Sequence, residues 1–121
     1  MTSSELRIPL TCPGITGELV VSSAVVAKLA GAEARATYGV VAMQASTMKR
    51  LARLGKDSPA DGVAIDVTDE GLHIGLHVVM ERGVNLAQVT ANLQEQVRYR
   101  VEKVAGILVA DITVRVEDLQ D

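Results

Sequence analysis

The chain has 121 residues, 48% of them hydrophobic and 22% charged, with a formal net charge of −3. That length and balance describe one globular domain with a core of its own and exclude a disordered chain. With 12 basic against 15 acidic residues, and only Tyr38 and Tyr99 as aromatics, the chain has neither the positive excess of a duplex binder nor the rings of a single-strand stacking platform.

Residues 1–13, where Pro9 and Pro13 stand among Ser and Thr, read as a flexible N-terminal arm ahead of a single domain over 14–119. The arm lacks a charged stretch followed by an apolar one, so no secretory signal is expected. Cys12, the only cysteine, has no basic neighbour to activate it, and alone it can build neither a disulfide nor a cysteine zinc site. Residues 15–21 predict a short strand with Ile15, Leu19 and Val21 on one face. Ser22 or Ser23 then caps a helix running to about Ala36, with Val25, Val26, Leu29 and Ala30 as its buried stripe. Thr37-Tyr38-Gly39 breaks that helix. Val40–Met43 is an apolar run too short for periodicity to separate strand from helix.

Residues 44–61 suggest a short helix around Met48, Leu51 and Ala52, with Gly55, Ser58 and Pro59 as an exit. A hairpin follows. Val63, Ile65 and Val67 alternate with Ala64 and Asp66, and Thr68-Asp69-Glu70-Gly71 supplies the turn. The return strand puts Leu72, Ile74, Leu76, Val78 and Met80 on one face and Gly71, His73, Gly75, His77 and Val79 on the other. Asn85 is a good N-cap for a long helix whose stripe is Leu86, Val89, Leu93, Val97, Val101 and Val104. Gly106 stands where a left-handed C-cap belongs. In the closing strand Leu108, Ala110, Ile112, Val114 and Val116 share one face, and Asp111, Thr113, Arg115 and Glu117 share the other. The expected fold class is α+β: a two-layer sandwich, with a mostly antiparallel sheet and two main helices packed on one face.

Chemistry is sparse in this pattern. His73 and His77 are the only histidines. On a strand, positions four apart lie about 13 Å apart, too far to share one metal ion. No nucleophile–base constellation, phosphate-cradling glycine loop or paired-carboxylate motif accompanies them. No catalytic residue, cofactor or metal site is therefore expected. Gly75, between the histidines, flattens their face, so His73, Gly75 and His77 form a candidate contact surface. Lys49, Arg50 and Arg53, with Lys56, make the densest basic cluster, which suits either a solvated face or an acidic or anionic partner. No apolar run reaches the roughly 20 residues needed to cross a bilayer.

Three stretches resemble the alkaline shock protein family, small bacterial proteins of the cell-envelope stress response. They are GITGELVVSSAVVAKLA from Gly14, with Val21-Ser22 at the helix start, then Tyr38-Gly39-Val40 with Met43, and LQEQVRYRVEKVAGILVADITVRVEDL from Leu93. The likeness spans about residues 14–119 and consists of fold markers, so no functional residue is carried over. It implies a non-enzymatic, cytoplasmic protein. Some relatives gather at the inner face of the membrane through a membrane-anchored partner, and others are linked to fatty-acid or phospholipid synthesis. The expected function is thus a structural or interaction protein that self-associates as a homo-oligomer or docks on a protein partner near the membrane. No nucleic acid and no direct membrane span are expected. The alternative is a regulatory module acting on an enzyme of lipid metabolism.

Overall fold

The computed structural model describes residues 5–12, 14–44 and 61–121. Its elements in chain order are β1 (Glu5–Cys12), β2 (Ile15–Ser22), α1 (Ser23–Ala36), β3 (Val40–Met43), β4 (Val63–Thr68), β5 (Gly71–Glu81), α2 (Leu86–Ala105) and β6 (Val109–Gln120). The fold is α+β, as the sequence indicated. The expected short helix near Met48 and Leu51 lies outside the described residues.

Strand β5 organises the main sheet. It pairs antiparallel with β3 and with β4, and parallel with β6. Because β6 follows one side of β5 from Leu72 to Glu81, β3 and β4 must share the other side, end to end. The parallel pair is joined by α2, the crossover that parallel strands require. The β1–β2 hairpin forms a separate two-stranded sheet.

Residues 5–12, expected to belong to a loose arm, are strand β1, paired residue by residue with β2 from Glu5↔Ser22 to Cys12↔Ile15. The prolines hid this strand. Pro9 removes one amide, and a hairpin edge tolerates that loss.

Val26, Ala27, Ala30 and Ala34 of α1 and Val89, Leu93, Val97 and Val101 of α2 bury against Leu72, Ile74, Leu76, Val78 and Met80 of β5. Val40–Met43, left open by periodicity, is a strand. The long-helix stripe holds at its centre and departs at its ends. Leu86 and Val104 are exposed, and Ala105 takes the last buried position. Val25 likewise faces solvent while Ala27 and Ala34 pack, so α1 presents small residues to the core. The caps are those expected. Ala24 N donates to Ser22 Oγ at 3.2 Å, Gln88 N donates to Asn85 Oδ1 at 3.1 Å, and Gly106 is left-handed at φ 71°.

In β6 the strict alternation fails twice. The register with β5 slips between Leu72↔Val109 and His73↔Asp111, and again between Val78↔Val116 and Val79↔Asp118. Each bulge shifts the facing by one residue. Val109 is therefore buried where Leu108 and Ala110 were expected, and Leu119 turns back towards the core.

Candidate functional site

Both helices pack on the face of the sheet that carries Leu72, Ile74 and Leu76, and His73, Gly75 and His77 occupy the other face. Cross-strand pairing brings polar partners to them from both sides. Asp66 of β4 and Asp111 of β6 flank His73, and Ala64 and Thr113 flank Gly75. Arg115 lies opposite His77. Ala64, Asp66, His73, Gly75, Asp111 and Thr113 line a shallow depression of about 220 Å³.

Each histidine is tied to a carboxylate on β6. His73 Nδ1 lies 2.9 Å from Asp111 Oδ2, and His77 Nδ1 lies 2.8 Å from Glu117 Oε1. A carboxylate only accepts, so each Nδ1 donates. That assignment leaves His73 Nε2 to accept the Thr68 hydroxyl at 2.7 Å. The row carboxylate–imidazole–hydroxyl has the connectivity of an acyl-transfer triad. It lacks the setting of one. Thr68 is the exposed last residue of β4, at the β4–β5 turn, its oxygen also accepts the Glu70 amide at 3.2 Å, and it does not line the depression. A nucleophile must face its substrate, and this one faces its own turn. Among the described residues no three His, Cys, Asp or Glu side chains come together to hold a metal ion.

His77 has a second role through its backbone. Its carbonyl accepts from Gln44 N at 2.9 Å, and its amide donates to Gly62 O at 2.8 Å. The end of β3 and the start of β4 therefore meet at His77. Gly62 is required there, because at φ 77° a Cβ would stand 2.7 Å from the His77 carbonyl oxygen. Lys49, Arg50 and Arg53 fall between these two strands in the chain. Those three residues lie outside the described ones.

The sequence placed His73, Gly75 and His77 on one face correctly. It missed Thr68, Asp111 and Glu117 as their partners. Asp111 and Glu117 were visible as the polar face of a strand, but pairing them with the histidines depends on the parallel β5–β6 register, which local alternation does not encode.

A larger groove, of about 460 Å³, runs between α2 and β6, lined among others by Ala91, Gln94, Glu95, Arg98 and Ile112. No helix among the described residues is long and apolar enough to cross a membrane.

Residues 12–120 match the family model of the alkaline shock protein 23 family, described as having a cell envelope-related function. Similar proteins include the uncharacterised protein Spy1614 of Streptococcus pyogenes, 29% identical over 107 residues, which cover 86% of this chain and 88% of that one. The uncharacterised proteins YloU and YqhY of Bacillus subtilis are each 26% identical over 86% of this chain, and the matches cover 89% and 78% of their lengths. No solved structure matches. The chain belongs to the alkaline shock protein 23 family.

Proposed function

We propose that this member of a cell-envelope family is a non-enzymatic interaction protein, and that the sheet face around His73, Gly75 and His77 docks a protein partner at the cytoplasmic side of the membrane. The observation that supports this most is the state of the polar groups on that face. Both imidazoles are held by hydrogen bonds within the sheet. The depression beside them is shallow and small, below the roughly 300–1,000 Å³ of ligand pockets. A flat face of satisfied polar groups and small residues, Ala64 and Gly75, suits another protein surface better than a small substrate. Wherever it lies, the basic cluster Lys49, Arg50 and Arg53 would add attraction to an acidic partner or an anionic membrane surface.

The test is cell fractionation of the tagged native chain beside His73→Glu and His77→Glu, with circular dichroism as a check on folding. The native chain should co-sediment saturably with the envelope fraction, and the variants should lose at least most of that association. Folded variants that partition like the native chain would remove this face from consideration. Saturable binding to a purified enzyme of lipid metabolism, without envelope association, would favour the regulatory module instead.

A further inference from the structure

Among the described strands β6 pairs with β5 alone, so its second side has no partner strand. Alternation fixes which residues face that side. Gln94 Nε2 reaches the Ile112 carbonyl at 2.9 Å from α2, so the backbone of Ile112 points away from β5. Val114 and Val116 then point the same way, while Asp111, Thr113 and Arg115 turn their backbone to β5 and their side chains to the outer face.

Most of the edge is blunted. Glu102 accepts the Val109 amide at 3.1 Å, Gln94 covers Ile112, and the register slips at Ala110 and near Glu117 disrupt any ladder there. Between the bulges one regular run remains, residues 111–116. We propose that this run pairs antiparallel with the same run of a second copy, around a two-fold axis through Thr113. The proposal rests on the reading that the chain acts by contact; it uses the edge of the sheet, which borders the histidine face and shares Asp111 and Thr113 with it.

Charge decides the register. An axis through Val114 would set Asp111 against the partner's Glu117, and an axis through Arg115 would set two guanidinium groups together. An axis through Val116 would pair Arg115 with the partner's Glu117, but only across a bulge. The axis through Thr113 opposes Asp111 to the partner's Arg115 twice, with Thr113 against Thr113, and stays within the regular run. Opposite charges placed directly across strands are favourable and like charges are not. Asp111 is half engaged already. Oδ2 meets His73, which leaves Oδ1 for the incoming guanidinium.

This pairing asks Gln94 to release the Ile112 carbonyl to the partner's Val114 amide, one hydrogen bond for another. Ala91 lies one turn before Gln94, about 4.5 Å along α2 at 1.5 Å per residue, and so stands near the level of Thr113. A small side chain there lets the two α2 helices approach on the inner side of the joined sheets. The interface is isologous, as a two-fold dimer requires.

A cysteine at position 113 tests the axis directly. Thr113 faces β5 with its backbone, so 113 against 113 is a non-hydrogen-bonded pair, with Cα atoms roughly 4.5 Å apart. A disulfide spans that distance. In a Cys12→Ser background, Thr113→Cys with copper–phenanthroline as oxidant should give a near-complete covalent dimer, and Ala64→Cys on the same face should not. Sedimentation should show a native dimer that Arg115→Asp weakens roughly tenfold or more, as two attractive pairs become repulsive. The Asp111→Arg/Arg115→Asp double variant should restore it. A monomer at high concentration with no cross-link overturns the proposal. So does a dimer that neither cross-links at 113 nor responds to Arg115→Asp, which would leave envelope docking by the histidine face standing. A native chain that cross-links at 113 but never associates with the envelope fraction would instead remove the docking reading and keep the dimer.

Discussion

Gly71 and Leu108 are so close that a Cβ on Gly71 would stand 2.6 Å from the Leu108 carbonyl oxygen. The same carbonyl accepts the Leu72 amide at 3.0 Å. The β4–β5 turn and the entry to β6 are therefore locked together at one end of the sheet. This contact fixes the entry of β6 at Leu72↔Val109, and the bulge that follows brings Asp111 to His73.

Gly71→Ala should destabilise the fold by about 1–3 kcal/mol, because Gly71 also holds φ at 124°, where a side chain is strained. Urea denaturation would show it as a lower midpoint with an unchanged slope. An unchanged midpoint would mean that β6 does not begin against this turn.

Leu93 is fully buried at the centre of α2, and Val104 is 53% exposed on the same helix. Leu93→Ala should cost about 2–5 kcal/mol through lost burial and the cavity left behind. Val104→Ala should change stability by less than about 0.5 kcal/mol, as exposed substitutions do. Equal losses would contradict the packing of α2, and with it the assignment of the free sheet face.

Local periodicity made the centre of this fold legible. The rows Leu72–Met80 and Val89–Val101 each keep one phase against one large neighbour, so burial follows spacing. It failed where phase is set from outside the element. The bulges in β6 lie in its pairing with β5, and Leu86 and Val104 are exposed because they stand off the strict every-fourth row Val89, Leu93, Val97, Val101 and Ala105 that packs on the sheet. The β1 strand was hidden by its own Pro9 and by the absence of a sustained apolar alternation, and it is held by pairing with β2. At the candidate site the histidine row could be seen in the sequence, but its partners on β6 stand 38 and 40 residues away and come into place only through the crossover.

The Thr68–His73–Asp111 row should be chemically silent. Thr68→Ala and His73→Ala should leave the background hydrolysis of p-nitrophenyl acetate unchanged, because the hydroxyl is committed to the Glu70 amide and stands outside the depression. A burst of nitrophenol in the native chain, lost in both variants, would make the row catalytic and displace the interaction reading.

Affinity for bare nucleic acid should be weak, with a dissociation constant above about 1 μM for duplex DNA at physiological salt, the range of non-specific binding. The net charge is −3. On the outer sheet face Asp66, Asp111 and Glu117 stand beside Arg115, whose guanidinium Nε already lies 3.7 Å from Glu117. Such a face repels phosphate rather than collecting it. Stacking offers little compensation, since Tyr99 is occupied by Lys103, whose Nζ lies 2.8 Å from the Tyr99 hydroxyl. The densest opposing charge in the sequence is the cluster of Lys49, Arg50 and Arg53. Fluorescence anisotropy across a salt series separates the two. The native chain and a variant with those three residues changed to Gln should bind labelled duplex equally weakly. Submicromolar binding that falls steeply with salt and vanishes in the triple variant would make that cluster a nucleic-acid site.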